Sequence, residues 1–275
     1  MEELSGKVAV VTGGGSGIGE ALVHALAGEG MHVVVADIER EAAERVASAA
    51  VESGESGGTA LAVGVDVADR ESVQGLADAA YDEFGAVHVL CNNAGVLLMG
   101  TAVSASPGDW QWLLSVNLMG VVHGIDAFLP RMRAQRGEAH IINTSSVAAL
   151  GGGGPYAASK AAVLAFSEAL HEELAGEGIG VSVLCPSYIN SKILAAQRNR
   201  PEHFGSEAEE PFGRLEVTTG LAPDAVARHA IEAIRSQQLY VFTLPESMLP
   251  RTAPAAAQRA EKIQAAIASG VLPDP

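Results

Sequence analysis

The chain predicts an α/β fold built on a doubly wound, Rossmann-type parallel sheet of about seven strands. Three observations carry that expectation. Short β-branched runs alternate with helical patterns from one end of the sequence to the other. A glycine-rich turn follows the first run directly, and an aspartate closes the second. The 275 residues, 48% of them hydrophobic, suit one large domain with a sizeable core, and no repeat or second core interrupts them.

Lys7–Thr12 is the first strand, its valines marking a buried parallel position. Gly13-Gly14-Gly15-Ser16-Gly17-Ile18-Gly19 comes next, then a helix with Leu22, Ala25 and Leu26 on one face. Glycines at 13, 17 and 19 permit a tight turn and close approach to a pyrophosphate, which the helix N-terminus would bind. A plain flexible turn has the same composition. Met31–Ala36 forms the second strand. Asp37 follows 18 residues after Gly19, close to the interval at which an acid meets an adenosine ribose; capping the next helix is the alternative.

That helix runs from about Glu39 to Ser53, and Gly54–Gly58 closes it. Strand three covers Ala60–Val65, with Asp66 and Val67 beyond it at an adenine edge or a helix cap. Strand four is Val87–Cys91, leading to Asn92-Asn93-Ala94-Gly95, where amides can order a turn or line a cleft at the strand's C-terminal end. Ser106-Pro107 starts a long helix to about Arg133, expected to bury Trp110, Leu113, Leu114, Val116 and Leu118. Asn117 within it is a satisfied core amide or a site residue.

Strand five spans Ala139–Thr144 and ends in Ser145-Ser146; a helix follows to about Leu174. Gly180–Cys185 is strand six, ending at Pro186. From Ser187 to Gly220 the periodicity breaks, which marks a lid or an irregular segment at about 187–220. A helix from Pro223 to Ser236, a strand at Tyr240–Thr243 and an alanine-rich helical tail within about 245–275, opening at Thr252 and Pro254, complete the chain.

Composition narrows the classes of partner. Lys and Arg total 17 against 33 Asp and Glu, a formal net charge of −16. Such a surface repels nucleic acid and anionic membranes, so neither is an expected partner. Cys91 and Cys185 lie in apolar strands, outside any metal-ligand spacing, so no metal is expected. Two free buried thiols, no basic-then-apolar leader and no apolar run of membrane-spanning length suggest a cytoplasmic protein.

The chemistry centres on Tyr156-Ala157-Ala158-Ser159-Lys160. Residues four apart share a helix face, and an ammonium held there is expected to draw the phenol pKa down from about 10. Tyr156 would then serve as a proton donor and acceptor.

The TGGGSGIG turn, Asp37, NNAG, Asn117, the serine pair and YAASK occur in an order that resembles the short-chain dehydrogenase/reductase (SDR) family, over about Gly6–Thr243. The resemblance implies a seven-stranded parallel sheet with helices on both faces, and an oxidoreductase exchanging hydride between NAD(H) and an alcohol or ketone. It makes Tyr156 the acid/base and gives Lys160 two tasks, lowering that pKa and holding the nicotinamide ribose. Ser146 would fix the substrate oxygen, and Asn117 would support a water relay. It assigns cofactor contacts to Gly13, Ser16, Gly17, Ile18, Gly19, Asp37, Asp66, Val67, Asn93 and Gly95. Pro186, Ile189 and Ser191 match the turn that holds the carboxamide.

Two departures stand out. The loop between Ser146 and Tyr156, Gly151-Gly152-Gly153-Gly154-Pro155 in its middle, is shorter than usual, which implies a wider or more mobile pocket mouth. Ser187 replaces a glycine in the turn after Pro186, leaving the local backbone open to question. A homodimer or homotetramer is expected, since the family pairs the helices around 117–133 and 156–174 between subunits. Asp37, with Arg40 the only cation noted nearby, favours NAD over NADP. The competing class is a non-catalytic cofactor-binding regulator or scaffold. Retention of Asn117, Ser146, Tyr156 and Lys160 together speaks against it.

Overall fold

A computed structural model describes residues 1–53, 57–205 and 220–270. Its centre is a sheet of seven parallel strands in the order β3-β2-β1-β4-β5-β6-β7. These are β1 (Val8–Thr12), β2 (His32–Asp37), β3 (Ala60–Gly64), β4 (Val89–Asn92), β5 (Ala139–Thr144), β6 (Ile179–Pro186) and β7 (Tyr240–Thr243). The central strands β1, β4, β5 and β6 are buried throughout, which is why they read as continuous apolar runs. At the edge, β7 alternates, with Tyr240 and Phe242 outward and Val241 and Thr243 inward.

The helices are α1 (Gly17–Gly28), α2 (Arg40–Ser53), α3 (Arg70–Phe84), α4 (Pro107–Leu114), α5 (Gly120–Gln135), α6 (Ala148–Gly151), α7 (Gly154–Glu173), α8 (Pro223–Ser236) and α9 (Leu249–Gly270). They build two cores, one on each face of the sheet. Leu22 and Leu26 of α1, Val46 of α2 and Ile234 of α8 pack with Ala9, Val11, Val33 and Val35. Leu76 of α3, Phe128 and Met132 of α5 and Leu170 of α7 pack with Val8, Val10, Leu90 and Ile141. Successive residues of β1 thus serve opposite cores, as the strand's two-residue period demands. Truncating a buried aromatic such as Phe128 to alanine typically costs about 3–5 kcal/mol.

The helix expected from Pro107 to Arg133 is interrupted. Ser115–Met119 forms a π-turn between α4 and α5, with the Gly120 amide donating to the Ser115 carbonyl. Within α4 it is Trp112 that is buried, with Asp109 and Leu113 on the same face, where Trp110 was expected. Leu113 is also buried, while Leu114, Val116 and Leu118 are only half-buried. Contrary to the expectation of no membrane-length apolar run, residues 107–135 reach that length and composition. Their buried side chains lie in the core of this α/β layer, Asn117 and Asp109 among them.

Three boundaries also differ. The segment before Tyr156 folds into the single turn α6 rather than a plain glycine loop. The last helix starts at Leu249, with Pro254 inside it. Of the proposed lid, residues 187–205 carry two 3-10 turns, Lys192–Asn199 and Glu202–Phe204, and Ile189 bridges to Leu221. The lid's remainder to residue 219, Phe212 included, falls outside the described residues, as do residues 271–275 of the expected tail.

Candidate active site

The strand order reverses around β1, which pairs with both β2 and β4. Open α/β sheets form a crevice at such a point, beyond the carboxyl ends of the strands. A cleft of about 940 Å³ lies there.

Its nucleotide-like half is shaped by glycines that leave no room for a side chain. Gly13 and Gly17 have φ of +64° and +58°. A Cβ on Gly19 would stand 2.0 Å from the Gly13 carbonyl oxygen, and one on Gly13 would stand 2.8 Å from Ala94 Cα. Ser16 precedes α1 without capping it, so the helix's first amides have no side-chain partner there. Asp37 is fixed at both oxygens, Oδ2 accepting from the Gly15 amide and Oδ1 from the Glu39 amide, each at 2.9 Å. Asn93 joins the strand ends: its amide nitrogens donate to Thr12 Oγ1 and the Thr12 carbonyl, both at 3.0 Å. Asp66 accepts from the Ala68 amide, and it is Asp69 that caps α3. A free helix N-terminus, a close-packed glycine turn and an oriented carboxylate are the fittings a dinucleotide requires.

In the other half, Ser146, Tyr156 and Lys160 meet. Lys160 is buried, its Nζ donating to the Thr144 carbonyl at 2.8 Å and standing 6.0 Å from the Tyr156 ring centre. Burial pulls the lysine down to about 8. The expectation for Tyr156 is reversed in this state. Burial raises its pKa, and the hydrogen bond with Ser146 only partly opposes that. The lysine is aimed at a carbonyl rather than at the phenol oxygen, so desolvation wins.

Asn117 has every side-chain bond filled. Its Oδ1 accepts from the Val96 amide at 2.8 Å, and Nδ2 donates to the Val96 carbonyl and to Ser159 Oγ, each at 3.0 Å. It sits behind the wall, pinning the segment after β4 from within the π-turn. A Cβ on Gly95 would meet both Lys160 Nζ and Asn117 Oδ1 within 3.3 Å, so that glycine admits the two polar groups side by side.

The sequence-derived residues Gly13, Ser16, Ile18, Asp37, Asp66, Val67, Asn93, Gly95, Ser146, Tyr156, Lys160, Pro186, Ile189 and Ser191 line this cleft together. Gly17 lines a smaller neighbouring cleft, and Gly19 is buried beneath the turn. Ser187 poses no backbone difficulty: Arg136 and Gln237 are the only non-glycine residues with positive φ among those described. Its hydroxyl instead reaches Met248 Sδ, at 2.8 Å.

Other wall residues went unread in the sequence. Trp112, Leu150, Met248 and Thr252 reach the cleft from four separate segments. Arg200 pairs with Asp109 at 2.6 Å with both side chains buried, and it stacks on Trp112. Burial alone would raise the Asp109 pKa, but hydrogen bonds from Arg200 and Ser106 outweigh it and hold the carboxyl low. The Ser106–Asp109 capping box was the available signal for that acid. Arg198 and Asn199 both donate to Glu39, two residues past Asp37. Arg45 donates to the Gly15 carbonyl and pairs with Glu20, whereas Arg40 pairs with Glu44 on the surface. The described cations on this side are therefore Arg45 and Arg198, each already partnered by an acid, and Lys192, which lines the cleft near Glu39.

A family model described as short chain dehydrogenase matches residues 7–202. The chain is 36% identical over 256 residues to a C alpha-dehydrogenase of a Sphingobium species, covering 90% of this chain and 83% of that one. It is 35% identical to meso-2,3-butanediol dehydrogenase of Serratia marcescens, over 80% and 84% of the two chains. A crystal structure of a Burkholderia phymatum short-chain dehydrogenase/reductase in complex with NAD superposes with a TM-score of 0.88 at 38% identity, covering 100% of this chain and 99% of that one. The chain belongs to the short-chain dehydrogenase/reductase family.

Proposed function

We propose that this short-chain dehydrogenase/reductase moves a hydride between NAD(H) and a secondary alcohol or ketone, with Tyr156 as the acid/base. The observation that carries the reading is convergence: Ser146, Tyr156 and Lys160 line the same cleft as the glycine turn and Asp37. The nicotinamide, when bound, supplies or accepts the hydride. Tyr156 Oη gives its proton to the carbonyl oxygen in reduction and takes one from the alcohol in oxidation. The raised phenol pKa suits the donor role in the free protein. Ser146, whose side chain partly offsets the rise in the phenol pKa, orients the same oxygen. Lys160, which now donates to the Thr144 carbonyl, would hold the nicotinamide ribose and carry the site's positive charge.

Asp37 supports NAD over NADP. Its carboxylate faces the position of a ribose 2′-hydroxyl and would repel a phosphate there. Arg45 and Arg198 are held by Glu20 and Glu39, which leaves Lys192, also lining the cleft, as the described cation that a 2′-phosphate could recruit against that repulsion. The described part of the expected lid, residues 187–205, acts as a cover over the cleft, tied to α4 through Arg200–Asp109 and to the Asp37 end through Arg198–Glu39. Exposed Met119 and the half-buried Leu118 and Phe166 support pairing of α5 and α7 between copies as a dimer or tetramer. Cys91 and Cys185 are free, and burial pushes both thiols to about 12, in keeping with the reducing cytoplasm.

The test is a screen of secondary alcohols with NAD and of ketones with NADH, followed by absorbance of the reduced cofactor. Turnover by the wild-type chain is expected. A protein that binds NADH and turns over no member of the screen would instead be the regulator or scaffold.

A further inference from the structure

The cleft sorts its lining residues by charge. Asp37, Glu39, Asp66 and Asp69 stand beyond β2 and β3, and Arg198 is bonded to Glu39. Lys192 also lines the small cleft beside Gly17 and Glu20. Around Ser146 and Tyr156 the wall becomes apolar. Leu150 lies in the turn after Ser146, Met248 touches Ser187, and Trp112 and Phe204 line the same wall, the Phe204 backbone carbonyl lying against Gly108 of α4. Met99 and Leu194 stand at the mouth, 44% and 41% exposed. No described carboxylate lines this half. Among the described residues, the one group beyond Lys160 able to become cationic in this half is His203, which is exposed.

A second observation concerns width. Gly151, Gly152 and Gly153 form one wall without side chains. At Gly152 the reason is packing, since a Cβ would meet the Ala148 carbonyl oxygen at 2.7 Å. Gly153 has no such reason. Its φ of −116° and ψ of 168° are ordinary extended backbone, and a Cβ there meets nothing within 4 Å. The absent side chain leaves space in the cleft and nothing else.

We propose that the substrate is a secondary alcohol or ketone carrying a broad apolar body of aromatic or fused-ring size, and that Gly153 sets the width that admits it. The inference rests on the hydride-transfer reading above. A polyol would find Ser187, Tyr188 and Thr252 as further hydroxyl partners on an otherwise mostly apolar described wall, and each hydroxyl buried unpaired costs about 1–3 kcal/mol. A substrate tethered to a phosphate-bearing carrier would find, among the described residues of this half, only the buried Lys160 and the exposed His203 to meet its phosphate, on a chain of net charge −16. A ring laid along the glycine wall meets apolar side chains opposite and leaves its oxygen free to reach Ser146 and Tyr156.

The experiment compares 1-(2-naphthyl)ethanol with 2,3-butanediol as substrates with NAD. It also measures the thermal shift caused by 2-acetonaphthone in the presence of NADH, which needs no turnover. The kcat/KM for the naphthyl alcohol is expected to be higher by about 100-fold, the effect of roughly 110 Å² of extra apolar burial. Gly153→Leu should cut the naphthyl-to-butanediol ratio by about tenfold or more. Gly153→Ser, small and suited to this helix-cap position, should keep the ratio near that of wild type. Equal or better turnover of butanediol would overturn the substrate class and leave the dehydrogenase reading standing. A thermal shift that Gly153→Leu removes, without turnover of any alcohol, would keep the class and sink that reading. An unchanged ratio in Gly153→Leu would overturn the role given to Gly153.

Discussion

The two halves of the cleft are built on opposite plans. The half bounded by the glycine turn is made of backbone, from one stretch of 25 residues, Gly13 to Asp37, with Asn93 and Ala94 against it. Its shape is enforced by contacts too close for any Cβ. The half around Tyr156 is made of side chains drawn from β4's exit, α4, α6, the lid and the start of α9. One half cannot vary without breaking, whereas the other can be refitted residue by residue. A fixed cofactor and a changeable substrate call for that division.

The strongest way to break the comparison lies where the halves meet. Tyr156→Phe removes one oxygen and leaves the glycine turn untouched. Turnover should fall by about 10³-fold, within the range general acid–base groups supply, while NADH affinity measured by fluorescence stays within about threefold. Activity within tenfold of wild type would show that another group moves the proton.

Next in size is the backbone half itself. A Cβ at Gly19 would meet the Gly13 carbonyl oxygen, so Gly19→Val must open the turn. NADH affinity should weaken by about 100-fold or more as the turn loses its hold on the pyrophosphate. If titration gave wild-type affinity, the turn would be more adaptable than its packing indicates.

This division also explains what could be read from sequence. Seven strands, the glycine turn, Asp37 and the Tyr156–Lys160 pair are local patterns, each set by neighbours in the chain; the sheet has its seven strands, and the turn, the acid and the pair line one cleft. Trp112 taking the buried place of Trp110 was not legible, because the inward face of α4 is shared with Asp109, which is held there by Arg200 from 91 residues away. The Arg200–Asp109 pair joins residues 91 positions apart, and Met248 reaches Ser187 across 61. Spacing rules do not extend over such distances. The direction of the Tyr156 shift was lost for a related reason: proximity along a helix implies a charge effect, but burial in the folded protein outweighs it.

A smaller effect is expected at the edge of the backbone half. Asp37→Ala removes the carboxylate but leaves Arg45 and Arg198 in place. Wild type should prefer NAD over NADP by at least about tenfold in kcat/KM, about 1.4 kcal/mol. The variant should narrow that ratio, mainly by weakening NAD. Comparable use of both cofactors by wild type would mean that Arg198 leaves Glu39 for the phosphate or that Lys192 meets it.

The smallest effect is one of stability and tests how dry the Lys160 site is. Lys160 falls from 10.5 to about 8 because burial disfavours its charge. Between those values the unfolded chain holds the proton and the folded chain has released it. Unfolding therefore takes up a proton, and this lysine makes stability rise with pH. Below pH 8 the cost of keeping it charged is fully present; above 10.5 it is gone. Cys91 and Cys185 act in the opposite sense from about pH 9 upward, since burial raises both, and Tyr156 does so above 10. The window from pH 8 to 9 is thus where Lys160 dominates among these four. Urea unfolding of the cofactor-free protein should gain up to about 1 kcal/mol across that interval, less than the full 1.36 per unit because the proton is only partly released at its lower end. Lys160→Met should flatten the gain and unfold with nearly the same midpoint at pH 8 and 9. An equal rise in both proteins would place the titration elsewhere. It would also mean that water reaches the Lys160 ammonium, so that the substrate half is not closed from solvent behind the Thr144 carbonyl.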